Sequence, residues 1–167
     1  MQSKILKKNE RQWKVSLYDG NIIKMVYPLA ETKQEALAKF LNIDIQEIEE
    51  AQDEYFDTPE SEYLVLTDEE ADEATKNYIA DSLWAFNISF LKQFLNENLY
   101  DEAETRLKPL QEKCESGNET IKVLVNWDKQ ADDIVSEAIA WDGRGHFLSS
   151  YDGEENEEGE YFIYRTN

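Results

Sequence analysis

Charge is segregated along this chain, and that segregation limits which segments can build a core. Residues 1–40 hold eight Lys/Arg against four Asp/Glu, whereas residues 44–81 hold fifteen carboxylates and one base, Lys76. The formal net charge is −20, so the chain after residue 40 carries −24. Carboxylates this crowded repel one another and weaken the compact state. They must ride on the wet side of elements whose other side is apolar. The field they create suits a positively charged partner.

The rest of the composition permits such a core. Hydrophobic residues make up 41% and aromatics 12%, too many for a disordered acidic tail. A domain of this size buries roughly 70% of its unfolded surface. Trp13, Trp84, Trp127 and Trp141 are spread along the 167 residues, so they are expected to anchor a core drawn from the whole chain. Cys114 is the single cysteine, which leaves no intrachain disulfide and fits a reducing cytoplasm. The lysines in the first eight residues lead into no apolar stretch, so no signal peptide is read. No apolar run reaches the roughly 18 residues of a membrane span. An acidic surface also repels free nucleic acid, with the basic N-terminal stretch as a local exception.

Periodicity predicts an α+β fold, a small antiparallel sheet (N-terminal hairpin plus short strands) packed against several helices. Trp13, Val15 and Leu17 alternate with polar residues, Asp19-Gly20-Asn21 supplies a tight turn, and Ile23, Met25 and Tyr27 return before Pro28. The organisation expected is a basic β-hairpin at 1–30 joined to an acidic α+β body at 31–167. Thr32 to Glu35 reads as a capping box opening a short helix that Asn42 ends. Asp44 to Glu47 opens a second short helix, with Ile45 and Ile48 facing inward. Tyr63–Leu66 is a strand. Thr67 to Glu70 is a further capping box, starting a helix with a stripe of Ala71, Ala74, Tyr78, Ile79, Leu83, Phe86 and Phe90. Asp72 and Lys76 are spaced to pair at i,i+4. Helical segments follow at 88–95 and 101–114, with Pro109 interrupting the latter. Ser116-Gly117-Asn118 reads as a break, and 121–127, either strand or helix, leans to helix with Asn118-Glu119-Thr120 as its cap. Asp128 is expected to cap a last helix through Ala131, Ile134, Val135, Ala138 and Ile139, which Asp142-Gly143 stops. Tyr161 to Arg165 is a strand that pairs either with Tyr63–Leu66 or with the hairpin.

No catalytic residue is predicted, because the chain has no P-loop, no G-x-S-x-G and no H-E-x-x-H. Cys114 sits among acids that oppose its ionisation. No cofactor is implied. One constellation could hold a metal: Asp142, His146 and Asp152, with Arg144 nearby as an anion holder. The acidic run from Asp152 to Glu160 lacks EF-hand spacing and reads as an exposed turn. The remaining candidate is the acidic surface itself. Carboxylates four apart on a helix lie about 6 Å apart, comparable with the roughly 3.4 Å charge spacing along one DNA strand. Asp44, Glu47, Glu50, Asp53 and Glu54, with Asp68, Glu69, Asp72 and Glu73, are the residues predicted to meet a partner.

The stretches YLVLTDEEADEA (63–74), DSLWAFN (81–87), DGRGHFLSSYDGEE (142–155) and YFIYR (161–165) resemble a group of small acidic proteins of phages, prophages and mobile elements. The resemblance spans roughly residues 36–167 and carries over no site residues. It implies an accessory gene product in the host bacterial cytoplasm, and many such products inhibit host defence, anti-CRISPR and anti-restriction proteins among them. The expected function is a non-enzymatic inhibitor whose acidic, DNA-mimic-like surface blocks a basic nucleic-acid-binding protein such as a CRISPR effector nuclease. The expected partners include neither nucleic acid nor membrane. The alternatives are the metal site, as a binding module or metal-dependent enzyme, and an accessory protein binding another phage protein.

Overall fold

The computed structural model describes residues 3–8, 11–18, 21–23, 30, 32–52 and 54–167, those before residue 30 by their backbone alone. Two compact units emerge: Met1–Asp68 with Asn156–Asn167, and Glu69–Glu155. The fold is α+β, as the periodicity predicts.

In the first unit, β1 (Ser3–Lys8), β2 (Arg11–Tyr18) and β3 (Asn21–Ile23) form an antiparallel sheet in that order. Tyr18 pairs with Asn21, so two residues connect β2 to β3 where the turn was expected. The strand β1 was not foreseen. Asp19, Gly20, Met25, Tyr27 and Pro28 lie outside the described residues, as do the side chains of Trp13, Val15 and Leu17.

A second, five-stranded antiparallel sheet runs β4-β5-β6-β8-β7. Its strands are β4 (Glu49–Gln52), β5 (Tyr55–Asp57), β6 (Glu62–Thr67), β7 (Asn156–Glu158) and β8 (Tyr161–Arg165). β8 pairs with β6, Val65 opposite Ile163 and Leu64 opposite Tyr164. Tyr63, Val65 and Ile163 join Leu37, Ile48 and Phe56 in one core cluster. Leu64, Leu66 and Tyr164 alternate with them and are buried too. An uninterrupted Tyr-Leu-Val-Leu run is what a strand covered on both faces requires.

Helix α1 (Lys33–Leu41) packs Leu37 and Ala38 into that cluster. Thr32 Oγ1 accepts from the Glu35 backbone N–H at 3.1 Å, and Asn42 ends the helix at φ 56°. The Asp44 capping box also forms, but it caps only a 3-10 turn, Ile45–Glu47. The expected second helix gives way to the β4–β5 hairpin. Gln34 Nε2 donates to the Ile48 carbonyl at 2.7 Å, holding the chain extended just before β4.

The second unit is helical: α2 (Asp68–Ser82, its first residue in the other unit), α3 (Ile88–Leu91), α4 (Ala103–Gln111), α5 (Glu115–Leu124) and α6 (Trp127–Leu148). Its core gathers Ile79, Leu83, Leu91, Leu107, Ile121 and Ile134, all fully buried. The α2 stripe departs from expectation at Tyr78, which is 49% exposed, whereas Thr75 is buried. Thr75 manages this because its hydroxyl donates to the Ala71 carbonyl at 2.7 Å. Asn87 caps α3 by accepting from the Ser89 N–H at 2.9 Å.

Three expectations along this unit are corrected. Ser116-Gly117-Asn118 is no break, because α5 runs through it and the chain turns instead at Cys114, φ 51°. Gly117 is buried against the Leu110 carbonyl, where a Cβ would collide, so its small size serves helix packing. Asn118 caps nothing: its Oδ1 accepts from Trp84 N–H at 3.1 Å and its Nδ2 donates to the Ala80 carbonyl at 2.7 Å. Finally, α6 starts one residue early, after Asn126 at φ 50°, leaving Asp128 in its first turn.

Candidate functional site

Local sequence places the carboxylates, and their partners decide which remain available. In the first unit Asp44 and Glu47 face water but serve the capping box: Asp44 Oδ1 accepts from Gln46 N–H at 2.9 Å, and Glu47 Oε1 accepts from Asp44 N–H at 3.3 Å. Glu49 and Glu50 are exposed on β4, at the edge of the sheet. Charge on an edge strand deters pairing with another chain, a structural reason for acids there. Glu54 is committed to Lys33 Nζ at 2.8 Å. Asp53 lies outside the described residues. Asp68 is exposed at the start of α2.

In the second unit Glu69 and Glu73 are exposed and one helical turn apart. Asp72 is exposed too, but its Oδ1 accepts from Arg144 Nη1 at 2.9 Å. The expected Asp72–Lys76 pair is therefore replaced: Lys76 Nζ instead lies 2.8 Å from Asp132 Oδ1 on α6. The Asp132 hydrogen bond and charge raise the Lys76 pKa above the ordinary lysine value, desolvation opposes them, and Glu73 adds the smallest upward push.

Arg144 is where an anion holder was expected, and the anions it holds are the chain's own. Its side chain is only 11% exposed and also bonds Glu155, Nε to Oε2 at 2.9 Å. Gly143, at φ 75° and ψ 158°, kinks α6 just before it. The expected stop is thus a kink, after which one more helical turn carries His146 and Phe147. Gly145 then meets the Gly153 carbonyl and the Glu154–Glu155 peptide so closely that a Cβ would collide. The GRGH segment is a clamp for the 149–155 loop.

Asp152 belongs to that loop, its Oδ1 accepting from Ser149 Oγ at 2.7 Å and Glu154 N–H at 3.0 Å. Asp142 and His146 instead line a cleft. Among the described residues no three His, Cys, Asp or Glu side chains form a group that could hold a metal ion, so Asp142, His146 and Asp152 do not meet as ligands. Cys114 is exposed.

The cleft is the feature that the sequence reading missed. It measures about 260 Å³, and Tyr78, Phe86 and Phe90 line it together with Trp141, Asp142, His146 and Phe147. The rings touch one another: Phe86 and Phe147 stack at 6.2 Å, and Trp141 meets Phe90 edge-on at 6.4 Å. Trp141, expected in the core, is 66% exposed, and its indole N–H donates to Glu137 Oε1 at 2.8 Å. Phase gave no warning at Trp141, which lies seven residues after buried Ile134 and so shares its helical face, whereas Tyr78 lies off the line of buried Thr75 and Ile79.

No protein-family model, curated protein or solved structure matches the chain. Among the described residues no helix is long and apolar enough to cross a membrane.

Proposed function

We propose that this protein is a phage-encoded, non-enzymatic inhibitor that binds a basic, nucleic-acid-binding protein of the bacterial host. The favoured target is a CRISPR effector nuclease, its DNA-binding channel occupied by carboxylates in place of phosphates, in the host cytoplasm. One observation carries the reading. The segment Glu69–Glu155 holds twenty carboxylates against eight Lys/Arg, and four of those bases, Lys76, Arg106, Lys122 and Arg144, are already paired with its own acids. Internal pairing absorbs cations and leaves a surplus of exposed anionic groups. A basic cleft would meet Glu69 and Glu73 on α2, together with Asp133, exposed on α6 beside the Lys76-bound Asp132. Such a surface steers association and makes it salt-sensitive. The likeness to proteins of mobile elements supports the anti-defence setting.

The test is capture of partners from a bacterial lysate at low and at high salt, with mass spectrometry of what elutes. Salt-sensitive recovery of a nuclease or other nucleic-acid-binding protein supports the reading. Recovery of phage structural or replication proteins alone would replace it with an accessory role.

A further inference from the structure

Resting on the reading of a basic protein partner, we infer that the aromatic cleft is an anchor pocket for one arginine side chain of that partner. At about 260 Å³ it falls just below the roughly 300–1,000 Å³ of sites for drug-sized ligands, a size that suits a single side chain. Its walls and rim supply what a guanidinium uses. Tyr78 and Trp141, both lining the cleft, are 49% and 66% exposed, and a cation is attracted to an aromatic face. The chain already makes one such contact, Lys92 Nζ lying 3.8 Å from the Tyr100 ring centroid. Asp142, next to Trp141 and exposed, lines the same cleft and brings a carboxylate to it. A planar guanidinium can stack on a ring and fork to a carboxylate at once, whereas an ammonium is a strongly hydrated point charge. The surrounding excess of acid over base favours a cationic occupant over an anionic one. Arginine, tyrosine and tryptophan are also the residues that most often dominate binding energy at interfaces.

The experiment titrates the intact protein with N-acetyl-arginine amide at low salt and follows the indole N–H resonances by NMR. The Trp141 resonance is assigned from Trp141→Phe. The expected result is a saturable shift at Trp141, a weaker response to the lysine analogue, and none to the neutral citrulline analogue. In Asp142→Asn, affinity should fall at least about threefold. An equal response to citrulline, an undiminished response in Asp142→Asn, or no saturable shift would each overturn the pocket. Because Trp141 and Asp142 are exposed, both variants should melt with wild type, and a changed melting temperature would discount that variant. A failed titration leaves salt-sensitive capture of a basic protein intact. A saturable arginine response without such capture would keep the guanidinium site and overturn its protein partner.

Discussion

Arg144 reaches across 72 residues of chain to donate to Asp72 at 2.9 Å, and the two ends of this bond are unequal. The arginine side chain is 11% exposed and the aspartate 63%. Arg144 also holds Glu155, so its loss takes a partner from two carboxylates. Arg144→Ala should lower stability by about 1–3 kcal/mol, whereas Asp72→Asn should cost less than about 1 kcal/mol. Chemical denaturation of the two variants tests the ranking. Equal losses would contradict the asymmetry.

Gly145 and Gly143 should both resist substitution, for different reasons. A methyl at Gly145 meets backbone of the 149–155 loop, an overpacking penalty of about 1–3 kcal/mol. At Gly143 there is space around a Cβ, but φ is 75°, a conformation that costs an L-residue about 1–3 kcal/mol. Hydrogen exchange separates the two: Gly145→Ala should loosen the amides of residues 149–155, which Gly143→Ala should leave protected.

Asn118 is buried and satisfies two backbone groups, the Trp84 N–H and the Ala80 carbonyl. Each buried group left unpaired costs about 1–3 kcal/mol, so Asn118→Ala should lose at least about 2 kcal/mol. Asn77→Ala, at an exposed position of α2, should stay within about 0.5 kcal/mol of wild type. Thermal melts of the pair would show whether this amide joins α2 to α5 as described.

Lys76 keeps its proton to higher pH than an ordinary lysine because of Asp132. A group whose folded pKa is raised stabilises the fold below its unfolded pKa, and that contribution disappears as pH climbs through the folded pKa. Asp132→Asn should bring the Lys76 titration down toward the ordinary value in a side-chain NMR titration. An unmoved titration would mean that the pair does not persist in solution.

For the proposed inhibition, Glu69→Lys with Glu73→Lys is a cleaner reversal than any set including Asp72, whose carboxylate serves Arg144. The double variant should melt like wild type and associate with its target at least about threefold more slowly at low salt. That difference should shrink as ionic strength passes about 0.15 M. Association rates measured across a salt series decide it, and unchanged rates at low salt would remove this face of α2 from the interface.

Where one local signal governed the outcome, it was legible. Thr32 capped, Asn42 ended α1, and the apolar runs at 63–66 and 161–165 became paired central strands. Where two segments had to agree, it was not. Glu49-Glu50-Ala51-Gln52 contains no strong strand former, yet it is a strand because β5 offers it a partner. Ser116-Gly117 looks like punctuation until α4 is seen pressing on Gly117. The surface carboxylates were legible as a class, but not which of them the chain keeps for itself. Glu54 and Asp72 belong to Lys33 and Arg144, and the sequence separation of those pairs, 21 and 72 residues, hides them from any local pattern. The cleft was invisible for the same reason, since α2 and the far end of α6 build it together.

β6 has its neighbour β8 ninety-odd residues later in the chain, and the segment Glu69–Glu155 comes between them. Synthesis therefore passes through all of the helical unit before it reaches the strand that completes the five-stranded sheet. During that interval β6 has one side unpaired, and Tyr-Leu-Val-Leu is a sticky strand to leave open. A released chain ending just before Tyr161 should already protect the helical core from protease, while Tyr63–Leu66 stays cleavable until the final strand is supplied.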